Sequence, residues 1–178
     1  MTDEKNNAGA DISSLAELLA HAYTIEEEAV ERYQMLGDQM EVHNNHELAK
    51  LFRELAGHEE KHAAEIKVRA AEIGMANLKP SEFKWLGTEG PELAALEAAH
   101  YQMTPWHALQ MALKAETQAF EFFDHIVNSI TDPDIRKWAE EFREEEAEHV
   151  TLVERLLEKY PEPEKGWAAD DDPPNMQE

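Results

Sequence analysis

Apolar residues recur at alternating steps of four and three along four long segments, the spacing that lays one stripe down a helix and seats it in a bundle. The first stripe is Leu15, Leu19, Ala22, Glu26, Ala29, Tyr33, Leu36 and Met40. The second is Leu48, Phe52, Leu55, Glu59, His62, Ile66, Arg69 and Ile73. The third is Trp106, Leu109, Leu113, Glu116, Phe120, Phe123, Val127 and Ile130, and the fourth is Ile135, Ala139, Phe142, Glu146, His149, Val153, Leu156 and Tyr160. Boundary signals agree with these segments. Ser14 with Glu17 reads as a capping box, and Gly74 as a C-terminal cap. Thr104-Pro105 and Asp132-Pro133 each place a cap before a proline in the first turn. The pattern predicts an all-α chain.

The connections set the topology. Short turns at about 41–46 and 131–133 make their flanking helices antiparallel neighbours, whereas 74–104 is long and contains Pro80, Gly87, Gly90 and Pro91. The expected architecture is therefore an antiparallel four-helix bundle with a long crossover between the second and third helices. A short helix is expected at 92–100. Residues 1–13 are expected to form a flexible N-terminus, 14–160 the bundle, and 161–178 an acidic, extended or disordered tail with Trp167 exposed.

Composition narrows the partners. A chain of 178 residues with 7 Gly fits one helix-rich domain. Its formal net charge of −23 argues against nucleic acid and anionic membranes as partners, since both require a positive surface. With no Cys, the chain has no disulfide, thiolate zinc site, iron–sulfur cluster or rubredoxin-type module. Any metal must rest on carboxylate and imidazole, which suit iron, manganese or zinc. The polar N-terminus lacks a signal-peptide pattern and no apolar run approaches membrane-spanning length, so a cytoplasmic location is expected.

The chemistry lies where the stripes are interrupted. Glu26, Glu59, His62, Glu116, Glu146 and His149 all occupy stripe positions and point at the bundle interior. A lone buried carboxylate would cost several kcal/mol or be forced neutral, so six such groups at one level are best explained by bound cations. Glu-x-x-His puts both side chains on one helix face, where they can grip one ion. One Glu from each of two helices plus Glu-x-x-His from the other two is the ligand set of the di-iron and di-manganese carboxylate bundles. Glu97-Ala-Ala-His100 in the crossover has the same spacing but no partner helix, and is incidental. The stronger signal is an internal repeat: Glu26, Ala29, Tyr33, then Glu59 and His62, against Glu116, Ala119, Phe123, then Glu146 and His149.

"EEEAVERY" at 26–33, "AGHEEKHA" at 56–63 and "EEEAEH" at 144–149 resemble the helix motifs of the ferritin-like superfamily, and of rubrerythrin most. The resemblance implies two iron ions, with manganese or zinc as substitutes. Glu26, Glu59 and His62 would hold one ion and Glu116, Glu146 and His149 the other, with Glu59 and Glu146 bridging. It implies an oxidoreductase in which a ferrous pair reduces peroxide or oxygen, and a homodimer. Tyr33 resembles the family's near-site tyrosine, a candidate catalytic residue hydrogen-bonded to a ligand carboxylate; ordinary core packing is its alternative. Two departures stand out. Ala119 occupies the place of a second helix-three Glu associated with peroxidase chemistry, and no rubredoxin module is expected, so reduction of the metal pair would need a separate, external electron donor protein. A ferritin-like ferroxidase or iron-storage role is the alternative function, and a metal-free helical interaction module a third.

The remaining ionisable residues have simpler expectations. His58, His43 and His46 read as surface residues, and His107 and His125 as capping or packing residues near the ends of the third helix. Arg69 is expected to snorkel at the bundle end. Glu27, Glu28, Glu60, Glu144, Glu145 and Glu148 fall off the stripes and are expected to be solvated.

Overall fold

The structure is a computed structural model that describes residues 11–86 and 103–164. Among the described residues the chain forms four α-helices: α1 Leu15–Val42, α2 His46–Ile73, α3 Pro105–Ser129 and α4 Pro133–Leu157. Among the described residues, a 3-10 turn, Pro80–Glu82, lies in the crossover and no strand occurs. α1 packs along α2 and α3 along α4, and α1 also meets α3 and α4, giving the all-α four-helix bundle that the stripes predict. No helix among the described residues is long and apolar enough to cross a membrane.

The caps form with one change of partner. Ser14 Oγ accepts from the Glu17 amide at 3.1 Å, but the Glu17 carboxylate bonds the Ser13 amide at 2.9 Å rather than closing a box on Ser14. Thr104 Oγ1 accepts from the His107 amide at 3.5 Å and lies 2.7 Å from the His107 ring. Asp132 Oδ1 accepts from the Asp134 and Ile135 amides at 2.9 and 3.2 Å. The α1–α2 turn needs a left-handed residue, which Asn44 supplies at φ 57°, a conformation Asn tolerates better than most. Asn45 then caps α2 through the Leu48 amide at 3.1 Å.

Burial follows the stripes closely in α1, α2 and α4, although Ile73 at the end of α2 is 43% exposed. The face of α3 is rotated from its predicted stripe. Ala108, Ala112, Ala115, Ala119 and Phe122 are buried, while Trp106, Leu113, Phe120, Val127 and Ile130 are only partly so. The apolar core divides in two. One cluster gathers Leu18, Ile25, Ile66, Phe122, Phe123 and Phe142, and the other Tyr33, Leu36, Phe52, Leu109 and Val153. Between them in sequence, on every helix, stands a buried Glu.

Part of the crossover straps the start of α1. The Ala76 amide donates to the Ala16 carbonyl at 2.9 Å, and Lys84 Nζ reaches Glu17 Oε1 at 2.6 Å and the Asp11 carbonyl at 2.8 Å. His21, fully buried, fastens this strap. Its Nδ1 donates to the Glu17 carbonyl at 2.8 Å, so its Nε2 accepts from the Lys84 amide at 2.9 Å. Phe83, Trp85 and Phe122 surround the ring with centroids at 4.9, 5.0 and 5.5 Å. Of the expected flexible N-terminus, residues 11–13 are described, and Ile12 is buried in the first core cluster. The predicted helix at 92–100, Glu97, His100, Trp167 and most of the tail lie outside the described residues.

Burial, opposed by the Glu17 carbonyl, holds the His21 imidazole below its ordinary value of 6.5. Protonation therefore favours the unfolded chain. The stability contributed by neutral His21 should be complete above about pH 6.5 and lost as pH falls through the depressed folded value. Urea unfolding at pH 7.5 and 5.5 checks this. His21→Ala, which orphans the Lys84 amide, should cost about 1–3 kcal/mol at pH 7.5 and reduce the pH sensitivity.

Candidate metal centre

Each bundle helix delivers its Glu at the same level because each stripe carries it at mid-length. Glu26 of α1, Glu59 of α2, Glu116 of α3 and Glu146 of α4 are all buried, none more than 4% exposed. His62 and His149 follow one turn later on α2 and α4, with 27% and 15% of their side chains exposed. Their rings lie parallel, centroids 5.4 Å apart and planes inclined by 4°.

The carboxylates converge on these imidazoles. His149 Nδ1 lies 3.4 Å from Glu116 Oε2, 3.6 Å from Glu146 Oε2 and 3.7 Å from Glu59 Oε1. His62 Nδ1 lies 3.5 Å from Glu59 Oε2 and 3.9 Å from Glu26 Oε2. The two oxygens of Glu59 thus face different histidines. Three sets of side chains bring one donor atom each within 4.8 Å of one another: Glu116, Glu146 and His149; Glu59, His62 and His149; and Glu26, His62 and Glu145. Each set can hold a metal ion. All six residues singled out by register therefore meet in one layer. Glu145, expected to be solvated, is half-buried beside them, while Glu27, Glu60, Glu144 and Glu148 are exposed as expected. Glu28 is also half-buried, and burial with Glu31 nearby pushes its carboxyl up to about 7.

The donor set fits a divalent metal on a structural criterion as well. Glu59 Oε2 and His62 Nδ1 are buried without a hydrogen-bond partner, although they face each other at 3.5 Å. Such orphaned polar atoms are costly, and a cation between them would satisfy both. The protons of the layer tell the same story. Burial, with Glu146 and Glu59 nearby, pushes Glu26 well above the carboxylate range, and burial pushes Glu146 to about 8. The His149 imidazolium, against the opposing effect of burial, is held by Glu116 and Glu146 up to about 12. Without metal, protons compensate the charge that cations would.

Glu116 is handled differently. Burial alone would raise it, but Arg32, His149 and Tyr33 together hold it down at about 2. Arg32 is fully buried and its Nη2 donates to Glu116 Oε1 at 2.5 Å. Tyr33 donates its phenolic O–H to the same oxygen, so its hydroxyl is satisfied by a carboxylate of the layer while its ring stacks on Phe52 at 5.9 Å. Sequence reasoning found Tyr33 but missed Arg32. The available signal was heptad spacing: Leu18, Ile25 and Arg32 are seven apart and all buried.

The other candidates fall where simple reasoning puts them. His58, His43 and His46 are exposed, and His46 pairs with Glu41 at 2.7 Å. His107 supports the Thr104 cap. Arg69 reaches outward to Glu141 at 3.0 Å and lies over the Trp138 ring at 5.0 Å, as expected of a snorkelling residue. Ala119 is fully buried among Phe122 and Phe123, so that position offers no carboxylate.

Comparison with known proteins agrees with this geometry. Among solved structures, an uncharacterized conserved protein from Magnetospirillum magnetotacticum MS-1 is similar, with 38% identity and a TM-score of 0.71. The match covers 85% of this chain and 99% of that one. No curated protein matches. The rubrerythrin family model matches residues 17–157, which span all four helices and every residue of the Glu/His layer. The chain belongs to the rubrerythrin family.

Proposed function

We propose that this protein is a dinuclear iron oxidoreductase of the rubrerythrin type that reduces peroxide or oxygen. The observation that carries this reading is the pair of Glu/His sets joined by Glu59, whose two oxygens face His62 and His149. Glu26, Glu59 and His62 would hold one ion, Glu116, Glu146 and His149 the other, with Glu59 and Glu146 between them. Manganese or zinc suits the same donors. A ferrous pair supplies the two electrons that, with two protons, take peroxide to water.

The chain's own contribution is charge and position. Four carboxylates balance two divalent ions, and Arg32 offsets one of them, which favours retention of a reduced pair over an oxidised one. Tyr33 fixes the orientation of Glu116 and, buried beside it, keeps its phenol protonated well above the ordinary range. The apolar clusters on either side exclude water from the flanks of the layer. His62 is the most open ligand candidate, and small oxidants would approach from its side. Electrons return from an external donor protein, and a homodimer is the proposed assembly.

Stopped-flow mixing of the di-ferrous protein with peroxide and with oxygen, followed by sizing of the product, tests this function. The expected result is stoichiometric oxidation of two irons per chain with no growth in particle size. Accumulation of many irons per chain in a large shell would replace the enzyme with a storage protein.

A further inference from the structure

The register of α4 places Glu145 about 100° round the helix from Glu146, away from the bundle axis. It is nevertheless half-buried, and its carboxylate joins Glu26 and His62 within 4.8 Å. Its charged neighbours are His62, Arg69 and Glu65 of α2 and His149 of its own helix, so it faces the seam between α4 and α2. A second observation points to a ligand at the same place. Glu59, 1% exposed, aims its Oε2 at His62 Nδ1, and neither atom has a hydrogen-bond partner. Arg69, whose charge also acts on Glu145, hydrogen-bonds Glu141 at 3.0 Å instead.

We infer that Glu145 is a further metal ligand, closing the His62 side of the centre with Glu26 and Glu59 and making that side the tighter of two unequal cation positions. The inequality follows from the charge count. Glu59 faces both histidines, so each side gathers three carboxylates: Glu26, Glu59 and Glu145 at His62, and Glu59, Glu116 and Glu146 at His149. At the His149 side, Arg32 already offsets Glu116. A divalent ion is attracted more strongly to the side with the larger uncompensated charge, and both positions lie where water screens poorly. Glu145 also stands at the more exposed rim, so it can meet an arriving cation before the fully buried Glu59 does.

This inference rests on the proposed dinuclear site, and its test separates the two. Cobalt(II) is titrated into metal-free protein under argon, followed by calorimetry and by the visible absorption of the bound ion. Wild type should show two unequal steps. Glu145→Gln, of the same shape, should weaken the tighter step about tenfold or more, change the cobalt spectrum of that step, and leave the weaker step unaltered. Glu144→Gln, one residue away and exposed, should match wild type. Circular dichroism melts of the metal-free variants confirm that both fold. If Glu145→Gln binds two cobalt ions with wild-type affinities and spectrum, Glu145 is not a ligand and this inference alone falls. If wild type takes up no cobalt, the dinuclear reading falls and takes this inference with it.

Discussion

Arg32→Ala should destabilise the metal-free protein by about 3–5 kcal/mol, the usual loss when one partner of a buried ion pair is removed. Arg32 is fully buried, and its guanidinium is 2.5 Å from a Glu116 that is itself 1% exposed. Taking away the guanidinium leaves a carboxylate that water cannot reach, offset only by the Tyr33 hydroxyl and by a His149 imidazolium shared with Glu146 and Glu59. For a chain of this size the loss corresponds to a fall in melting temperature of roughly 10 °C or more, readable by calorimetry in the presence of chelator. Divalent metal should recover part of the loss, since a cation beside Glu116 restores the missing charge. A variant that melts within a degree or two of wild type would mean that Glu116 is protonated and that the pair contributes little.

Glu59→Gln should have the opposite profile. The substitution preserves shape and removes one negative charge from a layer where burial and mutual repulsion already push Glu26 up. Metal-free stability should hold or rise. Metal affinity should fall by at least about tenfold, because outer residues that merely orient ligands already cost 10–100-fold when removed. Both ions should be affected, since Oε2 faces His62 and Oε1 faces His149. Equilibrium dialysis against ferrous ion under argon, beside melts with and without chelator, measures both halves. Loss of stability together with unchanged metal uptake would show Glu59 to be a structural residue. Arg32 and Glu59 thus separate support of the layer from ligation within it.

Much of this site is legible in the residue pattern because a bundle turns sequence register directly into depth. Glu26, Glu59, Glu116 and Glu146 lie on stripes of buried apolar residues, so their burial follows from spacing alone. Where the reading fell short, the cause is specific. Around Phe120, Phe122 and Phe123, aromatic residues stand on adjacent faces of α3, and periodicity does not decide which face is central. The structure buries Phe122 and Phe123 beside Ala119 and leaves Phe120 partly exposed. Glu145 is off the stripe, yet it is half-buried against α2, and a gap between two helices is invisible to the period of one. His21 depends on a backbone amide 63 residues away in the crossover, a contact that no local pattern encodes. Arg32 is the instructive case. A charged side chain at heptad spacing from Leu18 and Ile25 reads as an anomaly until its partner, 84 residues on, is known.

The central claim is that the buried Glu/His layer exists to hold two metal ions. The most direct test is elemental analysis of the full-length protein reconstituted anaerobically with ferrous iron and desalted, paired with melting curves before and after chelation. Two irons per chain, lost on chelation with a marked drop in melting temperature, is the predicted result. Fewer than one iron per chain, with a melting temperature indifferent to chelator, would contradict it.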